Sequence, residues 1–255
     1  MASTSGLTST NSTKKKSVSE VGHVKNVANL GTGIQILQEM GAMYNPSNTN
    51  IQLDNLIAIK IAIDSAIINL NSKIPSYKNA VANREVAIEK LGRTSTKILN
   101  FSKSLNITAT DKENIMNHVK KVRGDNKAKA INPETSETTG ISTSQMSYDS
   151  RIANLATLIN LVASHPEYQP NESDISVGNL QTFQQELSTL SSFVNAAGNE
   201  LITARLNRNK ILYLTDNNII KLMTETKAYL KSLGQEAQPY HKAFIKLKFR
   251  GLNQN

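Results

Sequence analysis

Ile57-Ala58-Ile59-Lys60-Ile61-Ala62-Ile63 alternates like a half-buried strand and is rich in β-branched residues. Whether it is strand or helix decides the fold, and a second stretch of the same chain arbitrates. At an offset of 124 residues, Asn55-Leu56 falls on Asn179-Leu180. From Leu180 the apolar residues Phe183, Leu187, Leu190 and Val194 step by three and four, the stripe of an amphipathic helix. The first stretch places Leu56, Ile59, Ile63, Ala66 and Leu70 at the corresponding positions, so it also reads as helix. Leu56, Ile63, Leu70, Leu180, Leu187 and Val194 are the expected core.

The same offset aligns Tyr44-x-Pro46 with Tyr168-x-Pro170, Ile51 with Ile175, Asn71 with Asn195 and Ala80 with Ala204. It continues through Asn83-Arg84 on Asn207-Arg208, Lys97 on Lys221 and Lys103 on Lys227. One single-residue gap brings Ala28-Asn29-Leu30 onto Ala153-Asn154-Leu155. So many ordered identities indicate an internal duplication. The expectation is an all-α chain of two pseudo-repeated antiparallel helical-bundle units packed in tandem. They follow a disordered basic tail (1–18), occupy 19–123 and 147–255, and flank a flexible linker (124–146) rich in Thr, Ser, Asn and charge.

Each repeat reads as an entry helix (24–42 and 148–164), a polar loop with proline (45–51 and 165–175), a second helix and a long third helix. The stripe runs on in phase from the second helix to the third, through Tyr77, Val81, Arg84 and Ile88, and through Leu201, Arg205, Arg208 and Leu212. Against one continuous helix stand Ile74-Pro75 and Gly198-Asn199 at the aligned place. Proline costs about 3 kcal/mol inside a helix and glycine about 1. A turn there is favoured over a kink, with a second kink or short break at Gly92 and Asp216. A last helix should start near Asp111, where Thr110-x-x-Glu113 has the form of a capping box, with a counterpart near 240–249.

Composition removes some chemistry and leaves the rest open. Apolar residues are 38% of the chain and aromatics 5%, without tryptophan, so Leu, Ile, Val and Ala must build the core. The absence of cysteine excludes disulfides, iron–sulfur clusters and thiol catalysis. No signal-peptide pattern and no run of about 18 apolar residues is present, so a cytoplasmic protein without a membrane span is expected. The net charge of +9 divides as 18 Lys/Arg against 11 Asp/Glu over 1–147, and 11 against 9 over 148–255. Such an excess permits, without requiring, attraction to nucleic acid or an anionic membrane.

No motif points to catalysis, a metal or a cofactor. Gly31-Thr32-Gly33 resembles the start of a dinucleotide fingerprint, but Ile36 takes the third glycine position and no strand precedes it. His23, His118, His165 and His241 show no ligand spacing and read as surface or helix-end residues. Ser12-x-x-Lys15 lies in the tail, where a nucleophile is not pre-organised. Arg84 and Arg208 lie on the apolar stripe in the same Asn-Arg context, so each covers apolar surface with its stem or joins an anion or partner contact. Three basic clusters are solvated faces or phosphate contacts: Lys14 to Lys16; Lys120, Lys121 and Arg123 with Lys112, Lys127 and Lys129; and Lys246, Lys248 and Arg250 with Lys242. Of the aromatics that single-strand stacking would need, only Tyr240, Phe244 and Phe249 are interleaved with them.

Ser144 to Ile152, the Tyr-x-Pro-Asn loop Tyr168 to Asn171, Ala204 to Arg208 and the terminal Lys246 to Phe249 resemble an uncharacterised family of basic, tandem-duplicated helical proteins of Bacteroidota. The resemblance covers most of residues 25–250. It implies a helical bacterial protein and carries no activity with it. The sequence thus points to a non-enzymatic structural or protein-interaction protein, with a protein partner or self-association expected. A sequence-nonspecific nucleic-acid-binding protein using the Lys/Arg-rich segments is the alternative.

Overall fold

The structure, a computed structural model, describes residues 18–124, 130–131, 138–139 and 147–251. The tail expected at 1–18 and the linker expected at 124–146 therefore lie almost wholly outside the described residues. The fold is all-helical, apart from a minimal antiparallel ladder pairing Ala130–Ile131 with Thr138–Thr139. Seven α-helices are described: α1 (Val18–Glu39), α2 (Leu53–Ser104), α3 (Ala109–Arg123), α4 (Tyr148–Ala163), α5 (Val177–Asn209), α6 (Ile219–Ser232) and α7 (Gln238–Ile245).

The strand-like stretch is helical, and Leu56, Ile63, Leu70, Leu180, Leu187 and Val194 are all buried. The entry helices α1 and α4 bury Val27, Leu30, Ile34 and Leu37, and Ile152, Leu155, Ile159 and Val162. Each series occupies one face at helical spacing. Ser147 caps α4 by accepting from the Ser150 N–H at 3.1 Å.

The expected turns are absent at both breakers. Pro75 lies inside the unbroken, 52-residue α2, and Gly198 lies inside α5. Pro75 cannot donate to the Asn71 carbonyl, but both residues are exposed, so water can serve that group. Gly198 is used for packing: a Cβ there would stand 3.5 Å from the Tyr77 ring. Downstream, Gly92 lies within α2, whereas its aligned residue Asp216 lies in a break. There a π-helical turn, Lys210–Leu214, precedes α6. Asn218 starts α6 by accepting from the N–H groups of Ile220 and Lys221, and its amide donates to the Thr215 carbonyl. The cap of α3 is also displaced from the expected Thr110. Thr108 accepts from the Asp111 N–H and donates to its carboxylate, so the capping residues are Thr108 and Asp111.

Two compact units result: unit 1 is Met1–Asn71 with Thr203–Asn255, and unit 2 is Ser72–Ile202. The divisions fall inside α2 and α5, and not at residues 124–146, where the sequence reading parts two sequential units. Within unit 1, α1 packs on α7, and the turn Thr49–Ile51 packs on α6. The ring of Tyr44 meets that of Tyr229 edge-on at 5.5 Å, and the Tyr229 hydroxyl accepts from the Asn45 N–H. Within unit 2, α4 packs on α3, Tyr168 meets Phe101 edge-on at 5.2 Å, and Lys97 pairs with Asp174. Each unit therefore joins the early helices of one half of the chain to the late helices of the other. The physical reason is that α2 does not reverse at Pro75.

Positions 124 apart make the same local bonds. The hydroxyl of Tyr44 donates to the Ile51 carbonyl at 2.5 Å, and that of Tyr168 to the Ile175 carbonyl at 2.9 Å. Asn55 donates to the Thr49 carbonyl and Asn179 to that of Ser173. Buried Ser102 and Thr226 each donate to the carbonyl four residues earlier, both at 2.8 Å.

Candidate interaction surfaces

Arg84 and Arg208 belong to different units, and each is engaged within its own. The Arg84 guanidinium carbon stands 4.2 Å from the centre of the Tyr148 ring, a cation–π contact, and its buried Nε has no hydrogen-bond partner among the described residues. Arg208 is only 4% exposed, and its Nε and one terminal nitrogen donate to Asn209 Oδ1 at 3.1 and 3.0 Å.

Lys120, Lys121 and Arg123 form the last turn of α3 in unit 2. Cations in a last turn lie beside the negative end of the helix dipole and stabilise it. Gly124, at φ 70°, closes the helix by donating to the Lys120 and Lys121 carbonyls, and Arg151 Nε donates to the Val122 carbonyl at 2.8 Å. Burial, and then the charge of Lys121, lower the pKa of His118 on the same helix.

Lys246, Lys248 and Arg250 lie in unit 1, on and beyond the end of α7, and are presented differently. Leu247 and Phe249 are half-buried against the unit 1 core, while Lys246, Lys248 and Arg250 are exposed. Asn26 of α1 holds both backbone groups of Arg250: its amide donates to the carbonyl at 2.7 Å, and its Oδ1 accepts from the N–H at 3.0 Å. Asn29, one turn on, donates to the Lys248 carbonyl at 2.8 Å. Lys227 of α6 donates to the Leu247 carbonyl at 2.8 Å and lies 5.5 Å from the Phe249 ring centre. Burial and the nearby Lys248 lower the pKa of the Lys227 ammonium. None of the ion pairs described (Lys60–Asp64, Lys73–Glu200, Lys97–Asp174, Lys221–Glu225) neutralises the three exposed cations.

Charge follows the units. Unit 1 holds 15 Lys/Arg and 7 Asp/Glu, and unit 2 holds 14 and 13, so +8 of the net +9 falls to unit 1. Leaving out Lys14 to Lys16, unit 1 still carries 12 against 7, or +5. Unit 1 also exposes large apolar side chains on α2: Ile61 is 61% and Ile68 70% exposed. Seven residues apart, they share one face two turns apart, with half-buried Ile57 one turn before Ile61. The residues 124 further on are Gln185 and Ser192, in unit 2.

Other polar features have structural uses. Gly33 lies mid-helix in α1, where a Cβ would stand 3.1 Å from the Phe244 ring, so the glycine admits α7. His23, expected at the surface, is buried, and its Nδ1 lies 2.7 Å from the Tyr213 hydroxyl, which also accepts from Asn26. An open cleft between α4 and α5 is lined by Asp149, Gln184, Ser188, Ser191 and Ser192. The hydroxyls of Ser188 and Ser192 donate to carbonyls of their own helix, and the cleft has no histidine or lysine lining to activate a serine. Among the described residues no helix is long and apolar enough to cross a membrane.

Sequence reasoning named the C-terminal cations but not the clamp. Asn26 and Asn29 appear in the sequence as two asparagines on a helix, and only the docked chain shows what they hold. The outward isoleucines did leave a trace: apolar residues on both faces of α2 are what made Ile57 to Ile63 alternate like a strand. Comparison with protein-family models, curated proteins and solved structures finds no match to this chain.

Proposed function

We propose that this chain is a non-enzymatic, cytoplasmic interaction protein of duplicated helical construction, and that unit 1 makes the contact. The observation that carries the reading is the exposed pair Ile61 and Ile68, large apolar side chains that neither core uses. Exposed apolar ridges of this kind mark protein interaction sites. The duplication is supported by the shared bonds of Tyr44 and Tyr168, Asn55 and Asn179, and Ser102 and Thr226. In this reading the two copies exchange helices, so that a single copy has no complete core.

The test compares the full chain with an Ile61→Lys/Ile68→Lys variant, by sedimentation over a range of concentrations and by purification from the host. The wild type should carry a second copy or another protein that the variant loses, while the melting curves agree. A wild type that remains a lone monomer, or a partner kept by the variant, would overturn the reading.

A second reading, sequence-nonspecific nucleic-acid binding, is favoured by one observation: folding gathers most of the positive excess into unit 1. Attraction to a polyanion depends on how densely charge is displayed over one surface.

A further inference from the structure

Resting on this nucleic-acid reading, we propose that the phosphate backbone is met by Lys246, Lys248 and Arg250, displayed on a C-terminal segment that Asn26 and Asn29 clamp to α1. The burial pattern makes the segment a ladder. Leu247 and Phe249 turn toward the core, and the residues on either side of them are exposed. Lys246 ends the last turn of α7, and Lys248 and Arg250 follow it at alternate positions of the chain beyond. That row can follow a chain of phosphates.

The clamp distinguishes this cluster from the one on α3. Four hydrogen bonds hold the backbone of the segment: one in each direction between Asn26 and Arg250, one from Asn29 to Lys248 and one from Lys227 to Leu247. A cationic tail free to move would lose backbone entropy on binding; a clamped one has already lost it. The cations also have no carboxylate partner among the described ion pairs, and Lys227 stands close enough to Lys248 to feel its charge. An anion brought to the ladder relieves that repulsion. The cations of α3 lie beside the negative end of their helix dipole, which offsets part of their charge.

The decisive experiment measures affinity for a mixed-sequence duplex DNA and its single strand as a function of salt. The wild type is compared with Lys246→Gln/Lys248→Gln/Arg250→Gln and with Lys120→Gln/Lys121→Gln/Arg123→Gln. Loss of the ladder should flatten the log–log salt slope on duplex DNA by about 2.7, at about 0.9 for each of three phosphates. The α3 variant should change it far less. Asn26→Ala keeps every charge, yet it should weaken binding and speed amide exchange at Arg250, with the melting transition still cooperative.

No binding by the wild type at low salt would end the nucleic-acid reading itself. Binding whose slope survives loss of the ladder and falls with the α3 variant would leave that reading standing and overturn this assignment. Binding to phosphatidylserine vesicles but not to nucleic acid would overturn both. An Asn26→Ala chain that binds like the wild type would overturn the clamp.

Discussion

The two units share their internal carpentry and differ on their surfaces. Each has a tyrosine hydroxyl bound to the carbonyl seven residues on, an asparagine closing the turn before a long helix, and a buried hydroxyl bonded back along its helix. Outside, unit 2 is nearly neutral and places Gln185 and Ser192 where unit 1 exposes Ile61 and Ile68. Among the described residues unit 1 carries 12 Lys/Arg against 7 Asp/Glu, and unit 2 carries 12 against 10. A core tolerates little variation because its volume and buried polar groups must be satisfied. A surface is released from that demand and can differ between units of one build. The proposed contact through unit 1 rests on this difference at positions 61 and 68.

The comparison is broken most drastically by cutting the chain between the halves. A protease site placed at 132–137 and cleaved in the folded protein should leave the two pieces together on size exclusion, parting only in denaturant. Both units draw on residues from both sides of the cut. Pieces that separate at once would show that the units are sequential after all.

Substitution within the cores comes next. Leu222→Ala in unit 1 and Leu187→Ala in unit 2 should each destabilise the chain by about 2–5 kcal/mol in chemical denaturation. A Leu187→Ala chain with an unchanged melting curve would place the α5 stripe on the wrong face.

The matched tyrosines give the smaller effect. Tyr44→Phe and Tyr168→Phe each leave a buried carbonyl without its donor, a loss of about 1–3 kcal/mol that should be alike in the two units. Burial pushes the Tyr44 hydroxyl up to about 12, and burial with the nearby Asp174 charge raises Tyr168. A folded-state pKa above the ordinary 10 means that the native chain holds the proton more tightly than the unfolded one. This contribution is complete below pH 10 and is lost as pH rises through about 12. Either phenylalanine variant should lose less stability than the wild type across that window, as followed by denaturation at successive pH values.

Much of this molecule was legible as sequence. The period of three and four at Leu180, Phe183, Leu187, Leu190 and Val194 identified helix and the buried face together, because one geometry produces both. The offset of 124 transferred that reading to the ambiguous isoleucines. Local breakers were weaker guides. The penalty at Pro75 is a few kcal/mol, set against a continuous apolar stripe and an exposed carbonyl that water can serve, and α2 runs through. The cap at Thr108 rather than Thr110 turned on a shift of two residues that hydroxyl chemistry alone does not resolve.

What the sequence by itself determined, then, is a helical chain with its apolar faces assigned. Tertiary structure alone decided which faces meet: α1 with α7, and α4 with α3. Hydrophobic burial is non-directional, so a stripe is satisfied as well by the other half of the chain as by its own. The absence of a reversal in α2 selected the exchanged pairing. That pairing brought charges spread from Lys25 to Arg250 into one unit and left the other close to neutral.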